Sequence, residues 1–131
     1  MRILLDTRVW IWMLSAEDRL TEESRTVLAD PETELYLSAA SVWEISIKVG
    51  AGKLKYSGSP SVQIPIHIKR SGVRTLPITA DHVLAASILP MHHRDIVDRM
   101  LVAQAQADEL TLATVDARLR KYDVPIYTVS V

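Results

Sequence analysis

The sequence has no cysteine, no phenylalanine and no long apolar run. The lack of cysteine excludes a disulfide framework and a thiolate metal site, and it suits the reducing cytoplasm, where we expect the protein to act. Because a membrane-spanning helix needs about 20 consecutive apolar residues, we expect no membrane segment. The start MRILLDTRVW has only a short apolar run before Asp6 and lacks a cleavage pattern, so we expect no signal peptide.

The remaining composition is typical of one globular domain. Of the 131 residues, 48% are hydrophobic and 24% are charged, so the chain is long enough to bury a core. We therefore expect a single domain over residues 1–131. The net charge of -1 does not indicate a polyanionic partner for the chain as a whole.

Acidic residues are also missing from one long segment, Ile45 to Ala80. The basic residues of this segment are Lys48, Lys53, Lys55, Lys69, Arg70 and Arg74. By contrast, residues 17–44 carry eight acids against two arginines. The nearly neutral total therefore hides a basic region, which is either a solvated surface or a contact for nucleic acid.

Short apolar runs alternate with helical patterns along the chain. We predict strands at residues 2–5, 35–38, 73–76, 111–114 and 126–129. We predict helices at residues 7–14, 22–30, 39–49, 60–72, 80–88 and 95–108, with a further short helix opened by Asp116. This alternation predicts a three-layer α/β/α fold with a short, mostly parallel central sheet of four to five strands.

Two acids follow predicted strands. Asp6 comes directly after the first strand, and Asp116 follows the 111–114 strand after one intervening residue. Parallel strands end at the same edge of a sheet, and the sites of such folds lie there, so the two carboxylates are candidates for neighbours. The alternative is that each merely caps a helix, a role that aspartate fills well.

Glu44 lies in the apolar stretch SVWEISIKV, which we expect to form a largely buried helix. A buried carboxylate needs a partner, because an unpaired buried charge is costly. Lys48, four residues further on, offers an ordinary helical ion pair. A metal ion or a charged substrate is the functional alternative.

The stretch HHRDIVDRMLVAQA holds Asp95 and Asp98 three positions apart. Asp95 is predicted to cap the helix, with Asp98 at the third helical position, an arrangement typical of helix starts. Asp98 also continues the line of Leu101, Val102 and Ala105, which predicts that it faces inward.

Together, Asp6, Glu44, Asp98 and Asp116 predict an acidic cluster. Four neighbouring carboxylates cannot all stay ionised without a cation. Oxygen ligands suit Mg²⁺ or Mn²⁺, and such a site can activate a water for in-line displacement at phosphorus. The acid-free basic segment would then hold the phosphate backbone.

Two neighbouring histidines raise a rival metal site. His92 and His93 would bind the ion with Asp95 or Asp98 as co-ligand. Adjacent histidines project in different directions, however, so they rarely share one metal in a helix or turn.

Four segments occur in an informative order: LLDTRVWIW, SAASVWEISIKVGAGKL, LPMHHRDIVDRMLVAQA and LATVDARLRKY. Through them the chain resembles VapC-type toxins of the PIN-domain ribonuclease family along essentially its whole length. The resemblance implies a PIN-like parallel α/β fold and Mg²⁺- or Mn²⁺-dependent cleavage of RNA by the toxin of a toxin–antitoxin pair. The implied catalytic residues are Asp6, Glu44, Asp98 and Asp116. The implied metal ligands are the three aspartates of this set, with Thr114 and Thr7 as supporting polar residues.

The resemblance also implies partners. Such toxins usually form dimers and are silenced by a cognate antitoxin, which lays a peptide across the acidic groove and often offers it an arginine. Trp10, Trp12 and Met13 are candidates for lining that groove, for the core or for a dimer contact. The candidate contacts for RNA phosphates are Arg8, Lys48, Lys53, Arg94 and Arg99. For Arg94 and Arg99, salt bridges to neighbouring acids are the alternative.

The chain departs from the usual pattern at two places. Arg8 stands where relatives usually have histidine, and Ile96 and Val97 stand where they usually have Pro-Phe. These departures leave open a non-catalytic or weakly active module that binds RNA or an antitoxin. A receiver-like signalling domain is a third interpretation, but it needs a pair of acids after the first strand, whereas Asp6 is followed by Thr7.

Overall fold

The computed structural model describes residues 1–131, which form five strands and six helices. The strands are β1 (Arg2–Leu5), β2 (Glu34–Ser38), β3 (Arg74–Leu76), β4 (Thr111–Thr114) and β5 (Ile126–Thr128). The helices are α1 (Thr7–Ser15), α2 (Glu22–Ala29), α3 (Ala39–Gly50), α4 (Pro60–Ser71), α5 (Ala80–Ser87) and α6 (Ile96–Ala107). Short 3₁₀ turns occur at Glu17–Arg19, which was not predicted, and at Ala117–Lys121, where the short helix was expected.

The strands form one sheet in the order β3-β2-β1-β4-β5, and every neighbouring pair is parallel. The predicted three-layer fold with a short parallel sheet is therefore confirmed. β1 lies at the centre, paired with β2 on one side and β4 on the other. Because all five strands run the same way, the residues that follow β1 and β4 emerge side by side at one edge.

Alternating side chains of β1 enter two separate apolar cores. Ile3 and Leu5 pack in one cluster, and Leu4 packs in the other, on the opposite face of the sheet. Both faces are covered at the centre of the sheet, which explains why β1 reads as a continuous apolar run. Trp10 is fully buried in the first cluster and its indole N–H donates to Ser71 at 3.1 Å. It therefore belongs to the core and not to a surface groove.

Several helices begin directly at the carboxyl edge of the sheet because a side chain caps their first turn. Asp6 accepts a hydrogen bond from the Arg8 backbone N–H at the start of α1, and Ser38 does the same for α3. Asp95 accepts from the backbone N–H groups of Val97 and Asp98, so its predicted capping role is confirmed. These caps fix the acids of the edge in place.

One prediction about α3 is wrong. The stretch around Glu44 was expected to be largely buried, yet Trp43 is 56% exposed and Ile47 is 50% exposed. The helix packs on its neighbours along one face only, and Ile45 is the large apolar side chain that it buries completely. The apolar sequence of α3 therefore leaves an apolar surface uncovered in the monomer.

Candidate metal centre

A groove of about 400 Å³ opens at the carboxyl edge of the sheet, between α1, α3, the start of α6 and the turn after β4. Its acidic lining residues are Asp6, Glu44, Asp95, Asp98 and Asp116. Its basic lining residues are Arg8, Lys48, Lys53 and Arg118. The fold thus brings together all four acids that the sequence singled out, in one groove with a basic rim.

Asp6 is buried at the bottom of this groove. Its Oδ2 accepts a hydrogen bond from the Thr114 hydroxyl at 2.8 Å, and its Oδ1 accepts one from the Arg8 backbone N–H at 3.3 Å. Burial raises the pKa of Asp6, while the hydrogen bond from Thr114 opposes that shift. The hydroxyl of Thr7 turns away and donates to Ser41 at 2.8 Å, so it ties α1 to α3.

Asp116 is held by the chain that follows β4. Its backbone N–H donates to the Thr114 hydroxyl at 3.1 Å. The Arg118 guanidinium donates to both of its carboxylate oxygens, at 3.0 and 2.8 Å. These hydrogen bonds from Arg118 hold the pKa of Asp116 well below its usual range. Thr114 therefore connects the two strand-end acids.

Asp98 has the most perturbed environment of the group. Burial raises its pKa to about 7, and the negative charges of Asp6, Asp95 and Glu44 act in the same direction. Leu101, three residues further along the same helix face, is completely buried. The predicted inward orientation of Asp98 is thus confirmed. A carboxylate in such surroundings is fully ionised at neutral pH only when positive charge is added nearby.

Glu44 combines both of the interpretations that the sequence allowed. Its Oε2 lies 2.8 Å from the Lys48 ammonium, which is the ordinary ion pair of residues four apart in a helix. The hydrogen bond to Glu44 raises the pKa of Lys48. Both side chains nevertheless line the groove. The ion pair therefore joins the acidic residues that line the groove, its acidic floor, to the basic residues of its rim.

His93 is a site residue that the sequence analysis underrated. Its Nε2 lies 2.9 Å from Asp116 Oδ2 and 3.2 Å from Asp98 Oδ2. One ligand atom from each of these three residues lies within 4.8 Å of the others. His92 points elsewhere and packs edge-on against Tyr122, with ring centroids 5.0 Å apart. The predicted rival site with both histidines is therefore wrong, although His93 does contact Asp98.

The residues present fit a divalent cation. Asp6, Asp98 and Asp116 offer carboxylate oxygens, the donor type that Mg²⁺ and Mn²⁺ prefer. Burial, and then the negative charges of Asp6, Asp95 and Glu44, raise the pKa of Asp98 and so disfavour its ionised form. That electrostatic imbalance is what a bound cation would relieve.

The candidate phosphate contacts divide into two groups. Arg8, Lys48 and Lys53 line the groove, whereas Arg94 is exposed outside it. The prediction for Arg99 is wrong, because its guanidinium is buried and does not reach the groove. It donates to the backbone carbonyl oxygens of Ala86, Leu89 and Pro90 and to the Tyr122 hydroxyl. Arg99 therefore closes the end of α5 and the turn that follows it.

Comparison with known proteins identifies the fold family. The sequence model of the family described as PIN domain matches residues 3–125. The chain belongs to the PIN domain family. Ribonuclease VapC16 of Mycobacterium tuberculosis is 34% identical over 82 residues, which cover 55% of this chain and 57% of that protein. The chain thus spans little more than half the length of this curated relative.

Solved structures of other proteins have the same fold. VapBC2 from Rickettsia felis, bound to a DNA fragment from its promoter, superposes with a TM-score of 0.73 at 14% identity, covering 99% of this chain and 100% of that one. FitAcB from Neisseria gonorrhoeae superposes with a TM-score of 0.68 at 23% identity, covering 96% of each chain. The family expected from the sequence is confirmed.

Among the helices of this chain, none is both long and apolar enough to cross a bilayer.

Proposed function

We propose that this protein is a metal-dependent endoribonuclease that acts as the toxin of a toxin–antitoxin pair. The observation that carries the proposal is the groove at the carboxyl edge of the sheet, with its acidic floor and its basic rim. A polyanion is held by the rim while its scissile phosphate lies over the floor. This division of charge suits hydrolysis of a phosphodiester.

Asp6 and Asp98 are the proposed principal ligands of Mg²⁺ or Mn²⁺, with Asp116 as the third. When bound there, the cation lowers the pKa of a water and neutralises charge that develops on the phosphate. Thr114 favours the ionised form of Asp6 and orients its carboxylate by donating to Oδ2. Glu44 completes the acidic floor and holds Lys48 at its border.

The basic rim of the groove is the proposed binding surface for the RNA substrate. Arg8, Lys48 and Lys53 are the proposed contacts for RNA phosphates, because all three line the groove. Arg8 lies two residues after Asp6, so a phosphate held by it stays close to the acidic floor. Arg94, which is exposed outside the groove, is the proposed contact for a strand that extends beyond it.

The toxin role is supported by the names of similar proteins. One relative is called a ribonuclease VapC, and the solved neighbours include VapBC and FitAB complexes and a toxin–antitoxin complex from Klebsiella pneumoniae. We therefore propose a cognate antitoxin that lays a peptide over the acidic groove and blocks it. A cytoplasmic location follows, since RNA and the antitoxin are met there.

Homodimer formation is part of the same proposal. Exposed apolar side chains on α5 and the turn after it are Val83, Leu84, Ile88 and Met91. Such side chains commonly mark contact surfaces when they group together. Light scattering of the purified chain should give twice the monomer mass, and Leu84→Asp should shift the mass toward the monomer.

A second candidate function is a weakly active or non-catalytic module that binds RNA or the antitoxin. The observation that favours it is the double hydrogen bond from Arg118 to Asp116, which occupies one proposed metal ligand. This module would bind RNA without cleaving it. Both candidates predict RNA binding, so only a cleavage assay separates them.

The deciding assay uses purified protein and a labelled RNA, with Mg²⁺, with Mn²⁺ and with a chelator. We expect cleavage that the chelator stops and added metal restores. Asp98→Asn should abolish it, whereas the control Asp81→Asn, in the first turn of α5, should not. Full cleavage by Asp98→Asn would refute the assignment, and binding without any cleavage by the wild type would favour the weak module.

The toxin role has its own test. Induced expression in a bacterial host should arrest growth with the wild type and with Asp81→Asn but not with Asp98→Asn. Normal growth with the wild type, at a protein level equal to that of the variants, would contradict a toxin even if RNA cleavage were found in vitro.

A further inference from the structure

His93 lies between two proposed metal ligands, so its protonation pattern determines what it can do there. Its Nδ1 accepts a hydrogen bond from the backbone N–H of Asp95 at 3.0 Å. A neutral imidazole carries one proton, and a nitrogen that accepts cannot hold it. The proton therefore resides on Nε2, which faces Asp116 Oδ2 at 2.9 Å and Asp98 Oδ2 at 3.2 Å.

The clustering of ligand atoms from His93, Asp98 and Asp116 suggests that His93 binds the metal directly. This protonation pattern excludes that role. To bind a metal through Nε2, a neutral His93 would have to move its proton to Nδ1. Nδ1–H would then meet the Asp95 N–H, and two donors would face each other at 3.0 Å. No other acceptor takes the Asp95 N–H in the structure, so the start of α6 would lose this hydrogen bond.

The backbone that carries the imidazole is also held in place. The backbone N–H of His93 donates to the Tyr122 hydroxyl at 3.0 Å, and that hydroxyl donates to the Pro90 carbonyl at 2.8 Å. The buried Arg99 guanidinium donates to the same carbonyl at 3.0 Å. His93 is itself buried and both of its ring nitrogens have hydrogen-bond partners, which orient the ring relative to the sheet edge.

We propose that His93 is a positioning residue of the metal centre: its Nε2–H donates to Asp116 and lies against Asp98 Oδ2 at 3.2 Å, so the ring sets the separation of the two carboxylates and is not itself a metal ligand. The inference deepens the proposed function, on which it rests. Asp98 comes from α6 and Asp116 from the turn after β4, and no direct hydrogen bond joins their side chains. The imidazole of His93, which contacts both carboxylates, links the two elements at the groove.

The roles of the two ring nitrogens can be separated by substitution. In His93→Gln the side-chain amide reaches roughly as far as Nε2 and keeps a donor for the acids, but it loses the acceptor for the Asp95 N–H. In His93→Asn the amide oxygen lies near the Nδ1 position and keeps that acceptor, but no donor reaches the acids. His92→Gln is the matched control, because His92 packs outside the groove.

The decisive experiment is nitrogen NMR of the wild-type imidazoles, without metal and with saturating Mg²⁺, which is diamagnetic. We expect the Nε2–H tautomer of His93 in both spectra. A proton on Nδ1 without metal, or loss of the Nε2 proton on adding Mg²⁺, would overturn the proposal. The measurement needs no variant and no cleavage, so its outcome is independent of whether the protein proves to be a ribonuclease.

Calorimetric titration with Mg²⁺ then tests the positioning role. His93→Asn should bind Mg²⁺ about tenfold more weakly, as is typical for loss of a group that orients metal ligands. His93→Gln should stay close to wild type, and His92→Gln should equal it. Equal Mg²⁺ affinity in His93→Asn and the wild type, with both folded by circular dichroism, would contradict the role.

Discussion

The hydroxyl of Thr114, the last residue of β4, donates to Oδ2 of Asp6, the residue after β1, at 2.8 Å. The same hydroxyl accepts from the Asp116 backbone N–H at 3.1 Å. One side chain thus fixes the two acids that come from neighbouring parallel strands. The hydrogen bond depends on the register that pairs Leu5 with Ala113.

Thr114→Val removes this hydroxyl while keeping the shape of the side chain. Asp6 then loses the donor that opposes its raised pKa, so it should ionise less readily and bind metal less tightly. We expect Mg²⁺ affinity to fall about tenfold, the lower range for groups that orient metal ligands. Calorimetric titration measures the change, and Thr114→Ser serves as the control that keeps the hydroxyl. If Thr114→Val binds like the wild type, Thr114 has no supporting role.

Asp98 gives the metal-free protein a specific pH dependence. In the folded state its carboxyl takes up a proton below pH about 7, compared with 3.8 for the unperturbed group. The folded state therefore binds more protons between these values, and this contribution to the free energy of unfolding falls as the pH rises through that window. At about 1.4 kcal/mol per pKa unit, the loss amounts to at most about 4 kcal/mol above neutral pH.

Asp98→Asn cannot ionise, so the variant should lack this contribution and be more stable than the wild type at alkaline pH without metal. Urea unfolding of both proteins at acidic and alkaline pH measures the difference. Added Mg²⁺ should stabilise the wild type, increasingly at higher pH, but not the variant. A stability difference that does not change with pH would show that Asp98 keeps an ordinary pKa in the folded protein.

Arg118 competes with a cation for Asp116. Because its guanidinium donates to both carboxylate oxygens, Arg118→Ala should free this ligand and strengthen Mg²⁺ binding several-fold. The matched control is Arg120→Ala, which also removes a cation from this 3₁₀ turn. Arg120 donates to the Thr128 hydroxyl and not to Asp116. Calorimetric titration compares the three proteins. Weaker metal binding in Arg118→Ala than in Arg120→Ala would mean that Arg118 supports the site.

Arg99 should contribute to stability and not to RNA binding. Arg99→Lys keeps the charge but loses the planar fork that reaches several carbonyl oxygens at once. We expect a loss of roughly 2–4 kcal/mol in the free energy of unfolding, because buried acceptors lose a charged donor. Urea unfolding measures it, with the exposed Arg94→Lys as control. A variant with unchanged stability and weaker RNA binding would restore Arg99 as a phosphate contact.

The acidic cluster could be predicted from the sequence because its members depend on local rules. Asp6 and Asp116 follow strands, and parallel strands end together, so their meeting requires only the correct topology. Asp98 was distinguished from Asp95 by helical periodicity, since it shares a face with buried residues. These inferences use chain order and periodicity alone.

The features that could not be predicted from the sequence depend on the irregular segment between α5 and α6. The positions of His93 and Arg99 follow from how this segment folds back onto Tyr122, a residue distant in sequence. No periodicity describes such a contact. The exposure of Trp43 was missed for a related reason, because an apolar composition predicts burial without showing whether the monomer supplies a covering element.

The central claim is that carboxylates in the groove hold a metal that activates water against an RNA phosphodiester. It is tested most directly by cleaving RNA in water enriched in heavy oxygen and analysing the new ends by mass spectrometry. We predict one heavy oxygen in each new terminal phosphate, formed only when Mg²⁺ or Mn²⁺ is present and not formed by Asp98→Asn. Products that end in a cyclic phosphate without the label, or cleavage that survives a chelator, would contradict the account.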